Sequence, residues 1–203
     1  MSRETPVSAR ITDIPISSDR LLGCVMIRLS LTVCNAPRDG RDGVVLREVF
    51  LMKTLLFTAH TPSENTEKLA TICAAEMQSC SDNVTLIHKA PLETVSADGL
   101  NCDGLVIATT ENIGYMAGLT KDMFDRCYND WLYHTDGLPV AFYIRAGLDG
   151  TATATTLSRF AHALRWRMVR PPLILKGDYI KDFETQAAEL GGGFAAGLEA
   201  GIF

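Results

Sequence analysis

The chain has 203 residues, of which 47% are hydrophobic and 21% charged, and its formal charge is −5. That length suits one domain with a sizeable core, or a domain plus an appendage. A net negative chain is repelled by phosphate backbones and anionic headgroups, which argues against a general nucleic-acid binder or a protein of anionic membrane surfaces.

Residues 1–51 stand apart from the rest. Every basic residue there is arginine (Arg3, Arg10, Arg20, Arg28, Arg38, Arg41 and Arg47), whereas lysine and arginine are balanced afterwards. No helix or strand period emerges, and CNAPRDGRDG is turn and loop chemistry. The apolar run Leu21–Cys34 is too short to span a bilayer and is broken by Arg28, so no membrane insertion is expected. Its LLGC lacks the uninterrupted apolar segment that a lipoprotein box needs, because Asp13, Asp19 and Arg20 precede it. Two accounts fit this extension: a poorly ordered arm, or an upstream start chosen for a chain that begins at Met52. The second is favoured, and the fold is read from residues 52–203.

From Met52 short continuous apolar runs recur at Thr54–Thr58, Val84–His88, Gly104–Thr109, Val140–Ile144 and Leu173–Leu175. Unbroken rather than alternating runs indicate parallel strands buried on both faces. Between them, helical periodicity covers Glu64–Ser79, Ala117–Trp131, Thr155–Val169 and about Ile180–Glu199, while Leu92–Leu100 holds only a turn or two. Strands alternating with helices imply an α/β fold with right-handed crossovers, in the form of an open, doubly wound parallel sheet.

In such a sheet ligands bind beyond the carboxyl ends of the strands, where the strand order reverses. After the first strand comes AHTPSENT, a turn with neither glycine nor lysine. Unpaired amides and the helix dipole could hold an anion there, with Thr61, Ser63, Asn65 and Thr66 as neutral donors. A plain capped helix, with Ser63 or Thr61 as cap and Glu67 assisting, fits equally well. After the third strand, Gly114 and Gly118 permit close backbone approach, and Tyr115 and Met116 offer surface to an aromatic ring. After the fourth, Gly147 and Gly150 do the same.

These residues carry a resemblance. TPSENT is similar to the T/S-x-S/T-G-x-T loop that holds the FMN phosphate in the flavodoxin-like family. ENIGYMAGLTKDMFDR resembles the ring-flanking loop and helix of its branch of NAD(P)H-dependent FMN reductases and WrbA-type quinone oxidoreductases, and RAGLDGTA takes the place of the third flavin loop. The resemblance covers nearly all of residues 52–203 and implies a flavodoxin-like three-layer sandwich, its five-stranded parallel sheet in the order 2-1-3-4-5, with non-covalent FMN. The phosphate would lie on Thr61, Ser63, the Glu64 backbone, Asn65 and Thr66. The ring would lie against Thr110, Glu111, Asn112, Ile113, Gly114 and Tyr115, with Ala146, Gly147, Asp149 and Gly150 at its pyrimidine edge. Glu64 stands where that family has glycine, Thr110 where it commonly has proline, and Leu148 where polar residues are usual.

The implied activity is reduction of a quinone or similar small-molecule acceptor, with NADH or NADPH as co-substrate. A flavodoxin-type electron carrier or redox sensor is the alternative. Mild acidity and Arg145, entering the third flavin loop, favour the enzyme, since a cation near the ring stabilises reduced anionic flavin. Solvent exposure, or a pair with Asp149, is the bland reading of Arg145.

The six cysteines (Cys24, Cys34, Cys73, Cys80, Cys102 and Cys127) form no C-x-x-C pair, and the four histidines are equally scattered. Reduced thiols in a cytoplasmic protein without a metal site are therefore expected. GGGFAAG near the end has dinucleotide-motif spacing but follows helical sequence, so it reads as a loosely packed helix. The aromatic cluster of Tyr128, Trp131, Tyr133 and His134 could cover the flavin or a subunit contact, although simple surface covering fits better. Homo-oligomerisation stays open.

Overall fold

The computed structural model describes residues 52–203; the expected extension lies outside the described residues. In chain order the elements are β1 (Lys53–Ala59), α1 (Glu64–Ser79), β2 (Val84–Lys89), α2 (Ser96–Leu100), β3 (Gly104–Asn112), β4 (Tyr115–Met116), α3 (Gly118–Trp131), β5 (Pro139–Ala146), α4 (Thr151–Ala163), β6 (Arg167–Met168), β7 (Leu173–Lys176) and α5 (Asp182–Glu199). One sheet runs β2-β1-β3-β5-β6, with β7 also on β5 and β4 folded back on β3. All of its pairings are parallel except β3–β4. With β6 and β7 counted as one edge, this is the expected 2-1-3-4-5 order.

Apolar residues on both faces of each central strand explain the continuous runs. Leu55 and Phe57 of β1, Val106 of β3 and Tyr143 of β5 pack beneath α1 and α5. Leu56, Ile107, Phe142 and Ile144 turn the other way, toward α3 and α4. Leu55, Leu56, Phe57, Ile107, Phe142 and Ile144 are fully buried. Each such side chain contributes about 1.5–3 kcal/mol relative to exposure, so the sheet is the rigid body of the molecule.

Three differences from the expected elements have local causes. β3 runs past Thr109 to Asn112 and turns back through Ile113 and Gly114, both at positive φ (52° and 70°). A two-residue hairpin with both central residues left-handed matches the twist of its strands. The third helix expected at Thr155–Val169 is α4, which starts at Thr151 and ends at Ala163. Gly150 at φ 80° starts it, Arg165 at φ 54° breaks the chain away, and Arg167–Met168 joins the sheet. The edge strand is split: Val140 faces Met168 but Tyr143 faces Leu173, so two extra residues sit between the pairs. Pro171 and Pro172 lie in that gap, and proline cannot donate to a ladder.

The glycines of α5 correct the expectation of loose packing. A Cβ on Gly191 would lie 2.5 Å from the Cys73 carbonyl oxygen, and one on Gly192 would lie 2.9 Å from Cys80 Sγ. These glycines let α5 lie directly on α1. At the amino edge of the sheet, Trp131 is fully buried and donates to the Ser96 carbonyl at 2.9 Å. The aromatic cluster ends α3 and so sits at the edge opposite the bends after β1, β3 and β5.

Among the described residues no helix is long and apolar enough to cross a membrane, and no group of metal-ligating side chains could hold an ion. Cys73, Cys80, Cys102 and Cys127 are unpaired thiols.

Candidate functional site

The bends after β1, β3 and β5 lie side by side at the carboxyl edge, because the three strands are parallel neighbours. Ala59 pairs with Ala108, and Thr110 with Arg145. The order reverses between β1 and β3, at this same place. Hydrogen bonds fasten each bend to its neighbour. The His60 amide donates to the Ala108 carbonyl at 2.9 Å, and the Gly150 amide donates to Glu111 Oε1 at 2.9 Å.

The first bend is a helix start that caps itself. Ser63 is extended (φ −146°); its Oγ accepts from the Thr66 amide, while Thr66 Oγ1 accepts from the Ser63 amide at 3.0 Å. The partner in this box is thus Thr66, not Glu67, and the Ser63 and Thr66 hydroxyls are engaged with each other. Thr61, Glu64 and Asn65 remain exposed. Within the described residues no partner takes the Glu64 or Asn65 amide, as expected for a first helical turn. Burial holds the His60 imidazole below its ordinary pKa and so favours its neutral form. The anion-attracting capacity here is therefore backbone amides and dipole, offset by the carboxylates of Glu64 and Glu67. A cleft of about 280 Å³ opens beside the bend, toward the end of β2. Glu67, Glu93 and the stacked His88 line it, so it offers a phosphate less than the helix start does.

The second bend is the β3–β4 hairpin. Thr110 is buried and donates to Asn112 Oδ1 at 3.2 Å, while its carbonyl accepts from the Ala117 amide at 3.0 Å. Beyond Asn112 the tip leaves the protein. Ile113 is 105% exposed, Gly114 has open space around it, and Tyr115 is 40% exposed. A β-branched residue in the left-handed region, with no contact to offset it, costs about 1–2 kcal/mol. Below the hairpin lies a layer of satisfied hydroxyls: Thr109 Oγ1 and Thr120 Oγ1 share a bond of 2.8 Å, and Thr58 Oγ1 and Thr94 Oγ1 one of 3.1 Å.

The third bend is short. Ala146 is buried, Gly147 and Leu148 are exposed, and Asp149 accepts from the Thr151 hydroxyl. Leu148 is 85% exposed, the counterpart of Ile113 across the edge. At Gly150 (φ 80°) a Cβ would sit 2.4 Å from Ile174 Cγ2, so the position requires glycine twice over. Glu111 reaches this bend from the hairpin. Besides Gly150, the Thr153 hydroxyl (2.9 Å) and amide (3.4 Å) donate to its Oε2. Burial pushes the Glu111 carboxyl upward, but these bonds outweigh it and leave its pKa below the ordinary value. Thr153 was not among the expected site residues; its only trace in sequence is the hydroxyl-rich TATATT after Gly150.

Arg145 corrects both readings of the sequence. Its guanidinium donates to the carbonyls of Ala146, Leu175 (3.1 Å) and Gly177, and lies 5.3 Å over the Phe183 ring. It neither faces open solvent nor pairs with Asp149; its charge is committed to strand ends on the α5 side.

No protein-family model matches the sequence, and no curated protein matches it. Solved structures do. A flavodoxin from the domain Archaea superposes with a TM-score of 0.61 at 12% identity, over 72% of this chain and 99% of the other. Flavodoxin 1 from Bacillus cereus gives 0.57 at 15% identity, over 70% and 96%. A WrbA-like protein from Agrobacterium tumefaciens gives 0.57 at 12%, over 72% and 97%. The parallel sheet, its 2-1-3-4-5 order and these superpositions agree: the chain has the flavodoxin-like fold.

Proposed function

We propose that the protein is a flavoprotein that binds FMN non-covalently at the carboxyl edge and passes electrons from NADH or NADPH to a quinone or similar small molecule. The observation that carries this reading is the adjacency of three bends with complementary properties. One offers amides that are unpaired among the described residues at a helix start, and the other two hold out apolar side chains, Ile113 and Leu148, that nothing among those residues covers. A mononucleotide with an anionic end and a flat apolar ring matches that set.

The residues fit the group in outline. The amides of Glu64 and Asn65, with the Thr61 and Asn65 side chains, would take the phosphate. Ser63 and Thr66 would keep that turn in shape, since their hydroxyls hold each other. Ile113, Gly114, Tyr115, Gly147 and Leu148 would meet the ring, while Glu111 and Thr153 hold the bends. Bound flavin supplies the redox chemistry, accepting a hydride and releasing electrons to an acceptor. The protein binds, orients and shields the ring.

One observation favours a second reading, that of a carrier or sensor without turnover. The cation that favoured the enzyme, Arg145, is bonded to carbonyls, and the side chains nearest the second and third bends include the carboxylates Glu111 and Asp149. NADPH oxidation with a benzoquinone acceptor separates the two. Steady turnover supports the oxidoreductase, and bleaching of bound flavin without turnover supports the carrier.

A further inference from the structure

Helix α4 begins without a cap of its own. Its N-cap position is Gly150, which has no side chain, and two of the amides at its start, those of Gly150 and Thr153, are met from the β3–β4 hairpin. Glu111 uses both carboxylate oxygens: Oε1 takes the Gly150 amide, and Oε2 takes the Thr153 amide and hydroxyl. Among the described residues these are the only side-chain hydrogen bonds joining the hairpin to the start of α4. Among the described residues nothing supports the tips beyond them: Ile113 is fully exposed, and neither Gly114 nor Gly147 has a neighbour within 4 Å of a Cβ position. The two bends therefore cannot separate or slide without leaving amides at a helix start unpaired.

We propose that Glu111 is a positioning residue, a lock that fixes the spacing of the hairpin and the 147–150 bend and thereby sets how firmly a planar ring is gripped between them. Its consequence for ring binding rests on the FMN reading above; the lock itself does not. The chemistry explains a carboxylate at this position. Glutamine keeps only one oxygen, so its amide group must face either the Gly150 N–H or the Thr153 N–H, donor against donor. Aspartate is one methylene shorter and withdraws from α4.

The test uses the full chain with Glu111→Ala, Glu111→Gln, Thr153→Val and the Glu111→Ala/Thr153→Val double variant, each checked for folding by circular dichroism. Hydrogen exchange without FMN reads the lock directly. The Gly150 and Thr153 amides should exchange about tenfold faster or more in Glu111→Ala, and by an intermediate factor in Glu111→Gln. FMN titration reads the consequence. The Kd should rise about tenfold in Glu111→Ala and less in Thr153→Val, and the double variant should be no weaker than Glu111→Ala alone. Unchanged exchange at Gly150 overturns the proposal. Where the wild-type chain binds FMN, an unchanged Kd in Glu111→Ala, or additive losses in the double variant, overturns it as well. A wild-type chain that binds no FMN ends the FMN reading, and the exchange rates then decide the lock alone. Glu111→Gln and Thr153→Val keep the test decisive should Glu111→Ala fail to fold.

Discussion

The α1–α5 layer and the carboxyl edge are built on opposite rules. In the layer, glycine serves contact: Gly191 and Gly192 bring α5 against α1 until a single added carbon would meet Cys73 or Cys80. At the edge, glycine serves shape: Gly114 and Gly150 take left-handed backbone at φ 70° and 80°, and Gly114 has nothing near it. The layer buries its apolar side chains, whereas the edge holds out Ile113 and Leu148. An exposed isoleucine in the left-handed region costs stability, and the proposed contact with a bound ring gives that cost a purpose.

Substitutions in the layer should change stability and leave binding alone. Three consecutive glycines give an internal series. Gly191→Ala drives a methyl into a backbone carbonyl that cannot move aside, and should destabilise by about 3 kcal/mol in urea unfolding. Gly192→Ala meets only side-chain atoms of Cys80 and Glu76 and should cost about 1 kcal/mol. Gly193→Ala meets nothing and should stabilise by roughly 0.5–1 kcal/mol through helix propensity. Equal effects at the three positions would mean that α1 and α5 are not in close contact.

At the edge the two properties should separate. Gly150→Ala forces a left-handed alanine against Ile174 and should destabilise by about 2 kcal/mol while weakening FMN binding. Ile113→Asn should move them in opposite directions. Asparagine tolerates the left-handed region, so thermal stability should rise by roughly 0.5–1 kcal/mol while the ring loses an apolar contact. A loss of stability at Ile113→Asn would show that Ile113 packs against the protein.

Acid should act on the edge through Glu111, and the sign follows from its depressed pKa. Its contribution is fully present above the ordinary carboxylate value of 4.5 and is lost as the pH falls through the folded value. The groups that face it on α4 are the Gly150 amide and the Thr153 amide and hydroxyl; Asp149 in the same bend accepts from Thr151 instead. Unfolding midpoints measured from pH 7 to pH 3 should fall less steeply in Glu111→Gln than in wild type.

Most of the fold was legible because both-face burial writes itself as unbroken apolar runs such as LLFT and LVIAT. The start of helix α1 was legible because Ser63 caps it with short-range chemistry, although its partner is Thr66 rather than Glu67. What escaped depends on partners far along the chain. The β3 extension takes its register from β4 and β5, and the start of α4 is met by a glutamate thirty-nine positions away. The surroundings of Arg145 are hidden because strand parity decides which face a side chain enters, and the sequence does not show that Phe183 and three carbonyls wait there. The packing of GGGFAAG was hidden for the same reason: glycine reads as looseness until the neighbouring helix is known.

The central claim is that the carboxyl edge holds FMN. Adding the purified full-length chain to a fixed concentration of FMN, with flavin fluorescence and the visible spectrum recorded together, tests it most directly. Saturable, stoichiometric quenching and a perturbed visible band are expected, both weakened in Ile113→Asn and both retained in Gly193→Ala. Fluorescence and spectrum identical to those of free FMN at excess protein would contradict it.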